Sequence, residues 1–350
     1  MAEGVAPIGA TVLLSQLTTL RLGGPASDVV QAHDEQALVD AVAAADADGT
    51  PVLLVAGGSN LVVADGPVEA RVVLVRTRGV HVEPDGCGGV YVRVAAGEDW
   101  DALVARAVAS GWVGVEALSG IPGSAGATPV QNVGAYGQEV ADAVEAVRTW
   151  DRVQRRQRTL APSECGFGYR TSRFKADPGR WLVLEVTLRL PRGELSAPIA
   201  YAELARRLGT EPGLRRPMLE VREAVLALRG GKGMVLDPDD HDTWSAGSFF
   251  TNPLLPAAVA DRLPADAPRW PQPGGRVKTS AAWLIERAGF ARGYGRGPAR
   301  ISTKHTLALT NRGGAGSADL LGLAREVRDG VRDRFGVELV NEPVLVGCTL

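Results

Sequence analysis

Residues 120–137 read G-I-P-G-S-A-G-A-T-P-V-Q-N-V-G-A-Y-G, and this stretch decides how the rest of the chain is interpreted. Its first three glycines recur at every third residue and the tract also contains two prolines, so it cannot form the interior of a helix. It is too apolar for an ordinary solvated loop, and its second half adds amides and a phenol. We therefore predict a backbone that lies flat against a ligand.

A second glycine loop precedes this tract, because residues 52–60 read V-L-L-V-A-G-G-S-N. A buried strand that leads into the two glycines can expose successive backbone N–H groups as a concave anion site, and Ser59 and Asn60 add donors. The same pattern also fits a plain strand-to-loop turn. Two such regions favour a large cofactor over a single phosphate. A Rossmann site is disfavoured and a P-loop is excluded, since neither glycine signature occurs.

The composition excludes several other classes of protein. The chain has 350 residues, which suits two or three domains, and its net charge of -2 gives no electrostatic footprint for nucleic acid. Cys87, Cys165 and Cys348 lie far apart, which argues against a disulfide framework or a zinc site. The N-terminus lacks the basic region of a signal peptide, and no apolar run could span a membrane. We expect a soluble, cytoplasmic monomer without nucleic acid, membrane or metal partners.

Helical and strand patterns occur along the whole chain and predict an α+β fold with a boundary between Leu190 and Lys232. The clearest strand covers residues 182–190, where leucine and valine alternate with other residues. A Pro-rich segment at 264–273 predicts a loop or linker. The helical patterns begin after the capping residue Asp34 and recur at residues 100–108, 201–209, 218–230, 280–288 and 320–335.

The glycine regions and four further motifs resemble the UDP-N-acetylenolpyruvoylglucosamine reductase family. The resemblance runs in family order from about residue 19 to residue 347. The motifs are T-L-R-L-G-G at 19–24, G-G-S-N at 57–60, G-I-P-G-S-A-G at 120–126, Q-N-V-G-A-Y-G at 131–137, Y-R-T-S-R-F-K at 169–175, G-S-F-F-T-N-P at 247–253 and a glutamate segment at 335–347.

The resemblance implies a vanillyl-alcohol-oxidase-type FAD-binding domain of two α+β subdomains, at residues 1–78 and 79–200. An α+β substrate-binding domain at 201–345 would follow, and a strand within 342–350 would return to the first subdomain. Tyr201, in I-A-Y-A-E-L, resembles the mobile tyrosine of the subtype that closes over its substrate.

The implied reaction reduces UDP-N-acetylglucosamine enolpyruvate to UDP-N-acetylmuramate for peptidoglycan synthesis, with non-covalent FAD and with NADPH as the hydride donor. Hydride reaches C3 and a proton is added at C2. Arg170 would bind the substrate carboxylate bidentately, and a neutral Glu342 would sit against the same group. Ser248 would protonate C2. Without the motifs, each would be read as an ordinary surface ion pair, surface glutamate or turn serine.

The resemblance also assigns residues that bind the two ligands. The residues expected at the flavin are Arg21, Gly57, Gly58, Ser59, Asn60, Leu61, Gly120, Ile121, Pro122, Gly123, Ser124, Gly126, Ala127, Gln131, Asn132, Gly134 and Tyr136. The residues expected at the substrate are Tyr136, Arg170, Tyr201, Lys232, Ser248, Asn252, Lys278 and Glu342.

The chain departs from common family members at two places. Proline follows Glu342 where many members have valine, and Glu338 is the lower-ranked competitor for its position. The stretch 230–238 around Lys232 also differs. Two other functions remain open: another FAD oxidoreductase of this fold, such as an oxygen-using alcohol or lactone oxidase, and a nucleotide-sugar-binding module without redox activity. An oxidase needs no C2 proton donor, which argues against the first.

Overall fold

In this computed structural model, the described residues are the backbone of 5–7 and the whole of 11–350. Residues 1–4 and 8–10, which belong to the N-terminal segment without a signal-peptide pattern, lie outside the described residues. The α-helices are α1 Glu35–Asp48, α2 Trp100–Ala109, α3 Arg173–Ala176, α4 Ala202–Arg207, α5 Met218–Gly231, α6 Ala257–Ala260, α7 Ala281–Arg287 and α8 Ser317–Phe335.

Short strands alternate with these helices. The strands are β1 Val5–Pro7, β2 Val12–Leu13, β3 Pro25–Ala26, β4 Val29–Ala32, β5 Val52–Val55, β6 Leu61–Val63, β7 Arg71–Val75, β8 Val80–Pro84, β9 Gly89–Ala95, β10 Gly134–Ala135, β11 Gln138–Glu139, β12 Val144–Asp151, β13 Arg156–Leu160, β14 Trp181–Pro191, β15 Leu254–Pro256, β16 Arg269–Gln272, β17 Arg276–Thr279, β18 Ala299–Ile301, β19 Leu309–Asn311 and β20 Val344–Val346. The predicted α+β class is confirmed.

The chain divides into two compact units, each made of separate stretches of sequence. Unit 1 contains the described residues up to Val12 together with Ala26–Gly57 and Glu69–Gly231. Unit 2 contains Leu13–Pro25, Gly58–Val68 and Lys232–Leu350. The division into domains at 1–78, 79–200 and 201–345 stays a prediction.

Unit 1 contains a four-stranded sheet in the order β1-β4-β7-β5 and a five-stranded antiparallel sheet in the order β13-β12-β14-β9-β8. Helix α1 follows β4 as predicted, since the Asp34 side chain accepts a 2.8 Å hydrogen bond from the Ala37 backbone and Gly49 ends the helix at a φ of 71°. Strand β14 is central and pairs on both sides. Its even-numbered leucines point to the same face of the sheet because side chains alternate along a strand, and that face is buried.

Unit 2 contains the antiparallel sheet β15-β17-β16, the pair β18-β19 and the parallel pair β20-β6. Its core includes Phe249 and Phe250 and the buried face of α8. In the described part of the chain, no helix is both long enough and apolar enough to span a bilayer.

The prediction of a loop throughout the Pro-rich segment is wrong for Arg269–Gln272, which form β16. This strand lies at the edge of its sheet and pairs only with β17. An edge strand tolerates Pro271 because one side of it needs no ladder donor. Helix α8 also begins at Ser317, earlier than the apolar pattern indicated.

Candidate functional site

The two glycine regions of unit 1 touch through their backbones. A Cβ on Gly57 would lie 2.6 Å from the Cα of Gly123, and a Cβ on Gly126 would lie 2.5 Å from the Cβ of Ala96. Real side chains do not approach that closely, so these positions require glycine for packing alone. The strand-to-loop turn after β5 is therefore built against the 120–126 tract.

The loop that follows Gly58 is held within unit 2. Gly58 has a φ of 60°, and a Cβ there would overlap the carbonyl oxygen of Leu17. Its own carbonyl accepts a 3.1 Å hydrogen bond from the Thr19 N–H, and the Asn60 carbonyl accepts one of 2.9 Å from Val344. These bonds fix the backbone at Ser59, Asn60 and Leu61, which are predicted flavin contacts. Strand β6 begins at Leu61.

Non-glycine residues with positive φ are concentrated at predicted site positions. In the described part of the chain five have a φ in the left-handed region, and they are Arg21 (55°), Asn132 (47°), Tyr136 (49°), Arg155 (50°) and Arg170 (53°). All except Arg155, which lies in the β12–β13 hairpin, were selected from the motifs. The conformation costs about 1–2 kcal/mol per residue and persists where the surroundings require it. Backbone strain thus marks the same positions as the motifs.

Arg170 lies in a tight turn before α3. Gly168 and Thr171 exchange backbone hydrogen bonds of 3.1 and 3.2 Å across this turn. One terminal nitrogen, Nη2, of Arg170 donates to the Gly134 carbonyl at 3.0 Å, and Asn132 Nδ2 donates to the Gly168 carbonyl at 3.1 Å. The Arg170 guanidinium is therefore hydrogen-bonded to the Q-N-V-G-A-Y-G tract, as expected if the two segments belong to one site.

Tyr136 and Tyr201 also lie together in unit 1. Their rings meet edge to face with centroids 5.7 Å apart, and Tyr201 is 47% exposed. Burial raises the pKa of Tyr136 to about 12. The predicted closing tyrosine therefore contacts another predicted substrate residue.

Arg229, on α5, joins this cluster although the motif analysis did not select it. Burial lowers the pKa of Arg229 to about 10; Tyr136 and Asp101 oppose that shift, while the charge of Arg170 adds to it. Two neighbouring arginines, one of them buried, make the region electropositive and suited to an anionic ligand. The signal available in the sequence was its spacing of three residues from Lys232.

Unit 2 brings Ser248 and Glu342 close together along the backbone. The Glu342 N–H donates a 2.8 Å hydrogen bond to the carbonyl of Phe249, the residue after Ser248. Both residues are half-buried, whereas Glu338 is exposed. The proline after Glu342 does not disturb the segment, since β20 begins directly beyond it at Val344.

The remaining predicted substrate residues have mixed surroundings. The Asn252 side-chain oxygen accepts a 3.0 Å hydrogen bond from Ala281 at the start of α7, so it also supports the fold. The Lys278 ammonium lies 5.9 Å from the ring centre of Trp270. Lys232 is half-buried and directly follows α5. The part of the chain that the structure describes contains no His, Cys, Asp and Glu cluster that could hold a metal ion.

The surroundings of Arg21 show whether the residues of the predicted site suit a flavin. Its guanidinium carbon lies 5.6 Å from the centre of the Trp244 ring. Arg21 Nε and Trp244 Nε1 are both buried without a hydrogen-bond acceptor among the described residues. An unsatisfied buried donor costs about 1–3 kcal/mol, so Arg21 suits a ligand rich in oxygen acceptors. FAD, with its diphosphate and flavin carbonyls, meets that requirement.

Two stretches of the chain match known protein families. Residues 26–155 match the family described as FAD binding domain, so the chain is a flavin-binding protein. Residues 237–346 match the family described as UDP-N-acetylenolpyruvoylglucosamine reductase, C-terminal domain.

Whole-chain similarities identify the particular family. The UDP-N-acetylenolpyruvoylglucosamine reductase of Cutibacterium acnes is 55% identical over 345 residues, which cover 98% of this chain and 91% of that protein. The one from Streptomyces avermitilis is 56% identical over 348 residues, or 96% of this chain and 94% of that protein. The crystal structure of the Thermus caldophilus reductase is 26% identical, with a TM-score of 0.63 and coverage of 98% and 99%. The chain belongs to the UDP-N-acetylenolpyruvoylglucosamine reductase family, an oxidoreductase family, as the motifs predicted.

Proposed function

We propose that this chain reduces UDP-N-acetylglucosamine enolpyruvate to UDP-N-acetylmuramate with electrons from NADPH, as a cytoplasmic monomer. When bound, FAD would accept hydride from NADPH and deliver it to C3 of the enolpyruvyl group. Family membership supports this reaction. The observation that carries it is the Glu342 to Phe249 hydrogen bond, which brings a carboxyl and the Ser248 hydroxyl to neighbouring backbone positions.

Arg170 and Glu342 would act on the substrate carboxylate. Hydride arrival at C3 moves negative charge through C2 into that carboxylate, and a planar, permanently charged guanidinium stabilises it through two parallel hydrogen bonds. A glutamate beside another carboxylate tends to stay protonated, so Glu342 can donate a hydrogen bond to the same group. The bond from Arg170 to the Gly134 carbonyl supports its role by restricting the guanidinium.

Ser248 would supply the proton at C2. A hydroxyl is a weak acid, but the enolate carbon is a strong base, so position matters more than acidity. The residue lies on a short loop fixed by the Phe249 to Leu307 backbone hydrogen bond of 2.7 Å. A fixed loop supports the role because it limits the positions that the hydroxyl can reach.

The other selected residues would hold the two ligands. Arg21 and the glycine regions, from Gly57 to Leu61 and from Gly120 to Tyr136, would bind FAD. Lys232, Asn252 and Lys278 would bind the UDP and carboxylate ends of the substrate, and lysine serves as a point charge for phosphate. Tyr201 would close over the substrate, as in the subtype with a mobile tyrosine; its exposure and its edge contact with Tyr136 support that role.

An anaerobic assay of the purified full-length chain tests this proposal. We expect a yellow protein with a flavin spectrum that consumes one NADPH for each UDP-N-acetylglucosamine enolpyruvate reduced, without oxygen. A yellow protein that leaves NADPH and the enolpyruvyl sugar unchanged, but consumes oxygen with an alcohol or lactone once air is admitted, would instead identify an oxidase. A colourless protein that binds the nucleotide sugar would identify a binding module. Size-exclusion chromatography with light scattering measures the molar mass and so checks that the protein is a monomer.

A further inference from the structure

Arg21, Trp244 and His241 form one stack in unit 2. The Arg21 guanidinium carbon lies 5.6 Å from the Trp244 ring centre, and the Trp244 and His241 rings meet edge to face at 4.2 Å. A guanidinium over an indole is attracted by the ring quadrupole, and indole is the best of the aromatic partners. The stack therefore restricts where the Arg21 charge can lie.

The backbone beneath this stack is fixed from several sides. Arg21 has a φ of 55°, and its N–H donates a 3.1 Å hydrogen bond to the Thr18 carbonyl. Asn311 Nδ2 donates to the carbonyls of Leu20 and Arg21 at 3.1 and 3.3 Å. Thr19 Oγ1 donates to the Ser245 carbonyl at 2.7 Å. This turn holds an arginine in a conformation that glycine would adopt more easily, which indicates a requirement for the side chain.

A buried N–H group of Arg21 points to a ligand. Arg21 Nε has no acceptor among the described residues, although its side chain lies over the Trp244 ring. Native proteins satisfy most buried polar atoms, so this donor indicates an acceptor supplied from outside the chain, while the indole contributes its ring face to Arg21. Oxygen atoms of a dinucleotide are acceptors of this kind.

We propose that Trp244 is a positioning residue, whose indole ring holds the Arg21 guanidinium for hydrogen bonding to oxygen acceptors of FAD. The inference rests on the proposed function, in which Arg21 contacts FAD. It extends cofactor binding beyond the matched FAD binding domain, since that match covers residues 26–155 and includes neither Arg21 nor Trp244.

The test measures FAD affinity directly in the full-length chain. FAD is removed reversibly, and the dissociation constant is determined by flavin fluorescence for the wild type, Arg21→Gln, Trp244→Leu and the double variant. We expect Arg21→Gln and Trp244→Leu each to weaken FAD binding about tenfold, which corresponds to about 1.4 kcal/mol. Because Trp244 acts through Arg21, the double variant should bind FAD within about twofold of Arg21→Gln. Fully additive losses would overturn the positioning role.

Trp283→Leu is the matched control, because the Arg287 guanidinium carbon also lies 5.6 Å from the Trp283 ring centre in the same unit. It should leave FAD affinity unchanged within about twofold. An equal loss in Trp283→Leu and Trp244→Leu would show general destabilisation and overturn the proposal.

Trp244→Phe keeps a ring face under Arg21 and should lose less affinity than Trp244→Leu, with melting temperature checking the fold. If Trp244→Leu does not fold, a Trp244→Phe loss as large as that of Arg21→Gln overturns the proposal.

The outcomes separate this inference from the proposed function. A wild-type chain that binds no FAD contradicts both. A wild-type chain that binds FAD and reduces the enolpyruvyl sugar, with unchanged FAD affinity in Trp244→Leu, overturns the inference alone.

Discussion

Two groups of predicted site residues hold backbone conformations that side chains rarely adopt. In the first group, Gly58 and Gly123 have φ values of 60° and 122°, and Gly58 packs so closely that a Cβ would overlap the Leu17 carbonyl. In the second group, Arg170 and Tyr136 hold φ values of 53° and 49° with large side chains in place.

The difference separates what the fold requires from what the ligand requires. The glycines of the first group are explained by backbone packing, whether or not a cofactor is present. Glycine would relieve the backbone strain in the second group, yet arginine and tyrosine occupy those positions. We infer that function requires their side chains despite the strain. Substitutions in the first group should therefore reduce stability, and those in the second should reduce activity.

Arg170→Ala should have the largest effect. We expect turnover of the enolpyruvyl sugar to fall about a thousandfold, or about 4 kcal/mol, because the stabilising charge at the substrate carboxylate is lost. Arg170→Lys should lose nearly as much, because lysine cannot bind bidentately. Steady-state kinetics check this, with thermal melting as the control. A fully active Arg170→Lys would remove the bidentate role.

Gly58→Ala should reduce the free energy of unfolding by about 3 kcal/mol or more, since the new Cβ meets backbone that cannot yield. The matched control is Gly209→Ala, because Gly209 has a φ of 61° and open space around its Cβ position. Gly209→Ala should lose only about 1 kcal/mol, the cost of placing an L-residue in the left-handed region. Urea denaturation measures both, and equal losses would show that φ alone matters.

Arg170→Gly should be more stable than Arg170→Ala by about 1 kcal/mol, because glycine relieves the positive φ. Arg155→Gly is the comparison at a strained position outside the site, where φ is 50°. It should gain similar stability and keep full activity. Loss of activity in Arg155→Gly would break the distinction between strain at the site and strain in an ordinary hairpin.

Tyr136→Phe should produce the smallest effect on stability, and this effect should appear only at alkaline pH. Burial raises the pKa of Tyr136 to about 12 in the folded chain, above its ordinary value of 10.0. Its contribution to stability is therefore complete below pH 10 and is lost as the pH rises from 10 towards 12. Denaturation midpoints at pH 9 and pH 11.5 should differ less in Tyr136→Phe than in the wild type. An equal difference in both chains would contradict the raised pKa.

Local chemistry explains which elements could be predicted from the sequence. The cap at Asp34 and the alternation along β14 are short-range patterns, and both predictions are confirmed. Strand β16 was missed because prolines conceal an edge strand whose partner is decided by tertiary packing.

The site was predictable mainly through motif resemblance. Ser248 and Glu342 are far apart in the sequence, and only tertiary structure brings the Glu342 backbone to Phe249. The contact of Gly57 with Gly123 could not be anticipated either, since both glycines fit a ligand loop equally well. Arg229 was missed because an arginine near the end of a helix is usually solvated, and only the tertiary structure buries it close enough to Tyr136 to interact with it electrostatically.

We infer that the side chains of this protein divide the two half-reactions, with Ser248 serving only the second. Anaerobic stopped-flow measurement of Ser248→Ala tests this division. NADPH should reduce the bound flavin within about twofold of the wild-type rate, while the enolpyruvyl sugar should reoxidise it about a hundredfold or more slowly. Equal slowing of both half-reactions, or an unchanged reoxidation rate, would show that Ser248 is not the proton donor.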